Sequence, residues 1–258
     1  MKCYVVDAFS DKIFKGNPAA ICVLEEWIAD DLMQKIAQEN NLSETAFTVK
    51  QEDNVYALRW FTPEDEIDLC GHATLATAFV LMSFFEKELE QISFQTKSGV
   101  LIVSKKEDLY ELDMPAYHLE QMNIVDEIKE AIGVCPIEVW KGRDLVCVLE
   151  NEKQVNAVMI NEQKVKALDG LLLHVTAKSK EYDCVTRSFA PKLGVLEDPV
   201  CGSGHCHVVP LWADKLNKTN LTAFQASRRS GTLYCRYENN RVYLAGKAVL
   251  YSINQLFI

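Results

Sequence analysis

Asp68-Leu69-Cys70-Gly71-His72-Ala73-Thr74 and Asp198-Pro199-Val200-Cys201-Gly202-Ser203-Gly204 stand 131 residues apart, aligned on Cys-Gly, in a chain of 258. Each follows an Arg-x-Phe-x-Pro run: Arg59-Trp60-Phe61-Thr62-Pro63 before the first, Arg187-Ser188-Phe189-Ala190-Pro191 before the second. Working outward, Ser98-Gly99-Val100-Leu101 recurs as Ser230-Gly231-Thr232-Leu233. Upstream, Lys15-Gly16 followed by Cys22-Val23-Leu24-Glu25 recurs as Lys141-Gly142 followed by Cys147-Val148-Leu149-Glu150. Matches in one order, offset by nearly half the chain length, mark an internal duplication. The expected halves are residues 1–116 and 117–258, with the boundary at Met114-Pro115-Ala116, where proline interrupts regular structure.

The same unit is legible twice in the apolar patterning. Residues 2–9, 20–24, 46–50, 56–61, 92–96, 100–105 and 109–113 read as strands, and residues 29–39 as an amphipathic helix with Asp30 and Asp31 in its first turn. Residues 72–85 are apolar all round, which predicts a helix enclosed on nearly every side. In the second half, strands are expected at Val139 and over 146–150, 171–176, 183–189, 222–226, 232–237 and 241–244, with a helix over 203–215. The fold class expected is therefore α+β: two similar halves, each a sheet wrapped around a central helix.

Composition narrows the function. The chain carries 27 Lys and Arg against 37 Asp and Glu, a net charge of −10. A phosphate backbone is repelled on average, so no nucleic-acid partner is expected. There is no basic run for a lipid surface and no apolar stretch long enough to span a bilayer, so no membrane partner is expected either. The first residues lack the apolar core of a signal peptide, and the expected location is the cytoplasm. Nine cysteines, an odd count without a CxxC pair, do not fit a secreted disulfide framework.

Chemistry concentrates at the two Cys-Gly junctions. A helix N-terminus leaves backbone N–H groups free and carries partial positive charge. Two related tips converging on one cleft would bind an anion, most simply a carboxylate, through Gly71, His72 and Ala73 on one side and Gly202, Ser203 and Gly204 on the other. His72 and Ser203 hold corresponding positions, Asp198 precedes the second Cys-Gly, and Glu44 lies where a helix gives way to a strand. Taken alone, each glycine makes a turn, Asp198 caps a helix, and Glu44 is a solvated loop acid.

Four runs together carry a resemblance: Gly16-Asn17-Pro18-Ala19-Ala20, Asn41-Leu42-Ser43-Glu44-Thr45-Ala46-Phe47, the Asp68–Thr74 run and Glu197-Asp198-Pro199-Val200-Cys201-Gly202-Ser203. The chain resembles the PhzF family of phenazine-biosynthesis-like isomerases over nearly its whole length. The resemblance implies the diaminopimelate-epimerase-like fold, in which two curled, mostly antiparallel sheets each surround a central helix about a pseudo-two-fold, with the site between the halves. It implies cofactor-independent isomerisation of a small carboxylated metabolite, with no metal. Glu44 would be the general acid and base, and His72, Asp198 and Ser203 would orient substrate and handle charge. Homodimerisation is a further expectation. Gly204 departs from the pattern, since many members have a small residue such as alanine there.

Three alternatives stay open at this level. Cys70 and Cys201 resemble the thiol pair of related amino-acid racemases and epimerases, with helix tips expected to lower the thiol pKa values. Cys201, His205, Cys206 and His207 are zinc-type ligands, although helical spacing would point them in different directions. The third is a non-catalytic small-molecule binder that keeps the fold without the chemistry.

Overall fold

The computed structural model describes residues 1–258. The chain divides into two compact units, one formed by Met1–Asp113 with Ala245–Ile258, the other by Met114–Leu244. This differs from the expected split at 116 because the last strand, Ala248–Gln255, pairs antiparallel with Lys2–Ala8 and so belongs to the first unit. Tyr4 pairs with Ile253 in that register, across a bulge between Val5 and Val6.

In the first unit, Lys2–Ala8 runs antiparallel to Asn17–Leu24, which runs parallel to Glu44–Glu52. Glu44–Glu52 is antiparallel to Val55–Phe61, which is parallel to Gln91–Thr96, itself antiparallel to Gly99–Lys106. The second unit repeats this alternation. Glu138–Lys141 is antiparallel to Leu145–Val148, then come parallel Leu173–Lys178, antiparallel Cys184–Ala190, parallel Asn220–Gln225 and antiparallel Gly231–Glu238. The fold is α+β, as expected.

A parallel neighbour demands a crossover. In the first unit one crossover is the helix Asp30–Asn40, which buries Met33, Ile36 and Ala37 and ends at Asn41 in the left-handed region. The second unit uses two short helices at that place, Glu152–Ala157 and Glu162–Ala167, each capped by an asparagine side chain. These were not expected from the sequence: each buries one valine, Val155 or Val165, too little to give an amphipathic period.

The other crossover in each unit carries the central helix. Gly71–Val80 buries nine of its ten residues, confirming the enclosed helix, and then widens into a π-helical turn over Leu81–Phe85. The second central helix, Gly202–Leu216, contains Pro210. Proline cannot donate to the carbonyl four residues back, and the Tyr117 N–H takes that Cys206 carbonyl at 3.0 Å.

The repeated Arg-x-Phe motif proves to be an anchor. Arg59 grips Glu66 through Nε and Nη2, both at 2.8 Å, while its guanidinium lies 5.2 Å from the Phe61 ring centre. Arg187 grips Glu197 at 2.7 and 3.0 Å and lies 5.0 Å from Phe189. Each bidentate, ring-backed arginine ties down the acid four residues before the Cys-Gly turn. A serine completes the frame: Ser98 Oγ donates to the Asp68 carbonyl at 2.8 Å, and Ser227 Oγ to the Pro199 carbonyl at 2.7 Å. Both carbonyls sit two residues before the cysteine. No helix is long and apolar enough to cross a membrane.

Candidate active site

In the first unit, three elements converge on His72. The central helix begins at Gly71, with Cys70 extended as its N-cap. Glu44 opens the strand Glu44–Glu52 directly after the left-handed Asn41, and Asn17 opens the strand Asn17–Leu24 after Gly16. Gly16 has φ +68°, and a Cβ there would lie 2.1 Å from the Ala8 carbonyl oxygen, so only glycine delivers Asn17 to this place. Asn17 Nδ2 stands 3.1 Å from His72 Nδ1, and Cys70 Sγ 3.5 Å from the same nitrogen. On the other side of the ring, Glu44 Oε2 lies 2.9 Å from His72 Nε2. The two atoms meet off the line of an ideal hydrogen bond, so the contact is a close ion pair.

This surrounding sets charge. Burial opposes an imidazolium at His72, but the adjacent Cys70 and Glu44 outweigh it and hold the ring well above the ordinary histidine pKa. Burial, then the Glu44 charge, pushes the Cys70 thiol up. Burial thus favours the neutral thiol at Cys70, while Glu44 favours the charged ring at His72. The Glu44 side chain is 15% exposed, open enough to meet a ligand and enclosed enough to feel its neighbours.

In the second unit the corresponding turn is Asp198–Gly204. Asp198 Oδ1 accepts from the Val200 N–H at 3.2 Å, closing the turn that delivers Cys201. Cys201 Sγ accepts from the Gly204 N–H at 3.3 Å and lies 3.5 Å from Ser203 Oγ. Gly202 and Gly204 are buried and Ser203 is half-buried. Each unit thus gathers its own expected residues: Glu44, Cys70, Gly71, His72 and Ala73 in one, Asp198, Cys201, Gly202, Ser203 and Gly204 in the other.

The thiols differ from expectation. Helix tips were expected to acidify them, yet Cys70 is raised and Cys201 is raised further, by burial first and then by Asp198. Both occupy N-cap positions, and desolvation outweighs the helix dipole. The zinc grouping is also not assembled. His205 Nδ1 bonds the Cys201 carbonyl at 2.7 Å, Cys206 Sγ the Gly202 carbonyl at 3.5 Å, and His207 Nδ1 the Ser203 carbonyl at 3.0 Å. Each is turned back along its own helix.

Two groups do bring metal-type ligand atoms within 4.8 Å of one another: Glu44 with Cys70 and His72, and Asp144 with His174 and His207. In the first, Asn17 and Glu44 face the two ring nitrogens, and the thiol turns to the nitrogen that Asn17 faces. The second was missed in the sequence, where its members lie 30 and 33 residues apart. Asn17 was quoted in a motif without a role; its position one residue after the duplicated Lys-Gly was the available signal.

Residues 6–253 match the family described as phenazine biosynthesis-like protein (PhzC-PhzF). A Pseudomonas aeruginosa protein named an uncharacterized isomerase is 45% identical over 255 residues, 99% of this chain and 98% of its own length. A Halalkalibacterium halodurans protein of the same naming is 44% identical, covering 99% and 98%. The crystal structure of an Enterococcus faecalis PhzF-family protein superposes with a TM-score of 0.97 at 49% identity, covering 100% of this chain and 99% of that one. The chain belongs to the phenazine biosynthesis-like, PhzC-PhzF, family.

Proposed function

We propose that this protein is a cofactor-independent isomerase that moves a proton between carbons of a small carboxylated metabolite. The observation that carries the reading is the Glu44–His72 contact of 2.9 Å at the tip of the first central helix. Relatives of similar length named isomerases support the reaction class.

Glu44 takes a proton from a carbon next to a carbonyl or carboxylate. The electron pair left behind moves onto oxygen as an enolate, and Glu44 returns a proton at another carbon of the conjugated system. Burial near His72 suits it to both roles, because a charged ring stabilises the carboxylate before transfer and can shift hydrogen-bond strength after it. At the tip of the first central helix, substrate oxygens are held by the backbone donors of Gly71 and Ala73; the tip of the second offers a carboxylate the N–H groups of Gly202 and Ser203, with the Ser203 hydroxyl and Asp198 fixing orientation. Raised thiol pKa values at Cys70 and Cys201 disfavour a two-thiol epimerase, which needs one thiolate at rest.

The test is a screen of small mono- and dicarboxylic acids incubated with the protein in heavy water and read by mass spectrometry. The reading expects at least one compound to gain deuterium at carbon, catalytically and without added metal or cofactor. A protein that binds carboxylates in the same screen without exchanging any carbon-bound hydrogen would be a binder instead.

A further inference from the structure

One buried cluster takes no part in the proton transfer. Asp144 and His174, in the second unit, have fully buried side chains. His174 Nε2 meets Asp144 Oδ2 at 3.1 Å, and His174 Nδ1 faces Ser188 Oγ at 2.9 Å. Arg143 holds the same carboxylate through Nε at 3.0 Å and Nη2 at 2.8 Å, and the Leu172 N–H adds a bond of 3.4 Å. His207 lies 3.6 Å from it.

Asp with two histidines suggests a metal site, but the lone pairs are committed. The Asp144 N–H donates to His207 Nε2 at 3.3 Å, which puts the His207 proton on Nδ1, and that nitrogen donates to the Ser203 carbonyl. Both carboxylate oxygens already accept from Arg143. The cluster is built as a support.

What it supports is visible at Gly204. A Cβ there would lie 2.6 Å from His174 Cε1 and 2.8 Å from His174 Nδ1. The ring, held by Asp144 and Ser188, cannot give way. The duplicated first unit solves the same place differently. Thr48 and Thr176 correspond, since their hydroxyls donate to the carbonyls of Ala57 and Val185 at 2.9 and 2.8 Å. Two residues earlier, His174 corresponds to Ala46; counting from the paired cysteines, Gly204 corresponds to Ala73. One unit pairs alanine with alanine, the other histidine with glycine.

We propose that His174 is a positioning residue for the Cys201–Gly204 turn, and that residue 204 is glycine because His174 fills the volume a methyl group would need. This rests on the reading that the turn receives a substrate carboxylate. His174 carries the rigidity of the Arg143–Asp144 pair to the N–H groups of that turn.

The test uses four full-length proteins: wild type, Gly204→Ala, His174→Ala and the double variant, which installs the first unit's own alanine pair. Inorganic sulfate is titrated while the amide signals of residues 202–204 are followed by NMR, and thermal midpoints are read on the same samples. Gly204→Ala is expected to weaken sulfate binding at those amides roughly ten-fold and to lower the midpoint; His174→Ala in addition is expected to recover most of both. Substitutions that simply add, leaving the double variant worse than Gly204→Ala, overturn the proposal. A midpoint that recovers without sulfate affinity reduces His174 to packing and overturns its positioning role. Wild type that binds no sulfate at these amides refutes the carboxylate reading of the turn, while the midpoints still decide the His174–Gly204 fit.

Discussion

Glu44 Oε2 and His72 Nε2 are 2.9 Å apart, while the opposite nitrogen of the same ring faces Asn17 and Cys70. The ring is thus wedged between an acid and an amide. Replacing Glu44 by glutamine removes the anion that sustains the imidazolium. The expected outcome is a His72 pKa that falls towards the ordinary value, because Cys70 alone is then left to oppose burial. An NMR titration of the ring nitrogens in Glu44→Gln checks this, and an unshifted His72 would show that the ion pair does not set its charge.

Asn17 should tune the same ring from the other side. As placed, its amide donates to Nδ1, an arrangement for the neutral ring; a charged ring needs the amide turned so that oxygen accepts. Asn17→Asp supplies a second acceptor with full charge and should raise the His72 pKa further. Asn17→Leu offers no acceptor and should lower it. The two variants moving the titration in the same direction would contradict this account.

Stability should peak near neutral pH. Burial pushes His205 down to about 4, and His207 likewise to about 4. The unfolded chain takes up those protons below about 6.5 while the folded chain refuses them, so stability falls from 6.5 towards 4 by on the order of 3 kcal/mol for each histidine. His72 acts in the opposite sense. Its folded pKa is raised, so its contribution is complete below about 6.5 and is lost as pH climbs through the folded value. Midpoints measured across pH should form a dome, and His205→Gln should flatten its acid arm.

The two cap cysteines should prove structural. Alanine at both Cys70 and Cys201 removes one side-chain cap, the Cys201 thiol on the Gly204 N–H, worth about 1 kcal/mol, and should leave hydrogen exchange at carbon running. Serine at either position should retain most of the stability. Loss of all exchange in a folded double-alanine variant would return the thiol pair to the mechanism.

Much of this was written in the sequence because the duplication repeats local devices. Arg-x-Phe, Cys-Gly and Ser-Gly recur since each half needs the same anchored acid, the same capped helix and the same hairpin. The central helices were legible because burial on all sides leaves an unbroken apolar run. The strand Ala248–Gln255 was not, since much of it is exposed and its period is weak. The Asp144–His174 pair was invisible for a different reason: adjacent parallel strands bring these residues together, and no local pattern records a crossover. Asp198 and Ser203 stood out in the sequence through their neighbours in the repeat, and the raised thiol pKa values could be learned only from how deeply the two cysteines are buried.

The central claim is that Glu44 carries the proton. The most direct measurement compares wild type and Glu44→Gln in heavy water, with a carboxylic acid that the wild type labels, by following deuterium at carbon alongside binding of that acid. The account predicts that the variant stays folded, binds the acid and incorporates no deuterium above the uncatalysed rate. Incorporation at the wild-type rate in the variant would contradict it.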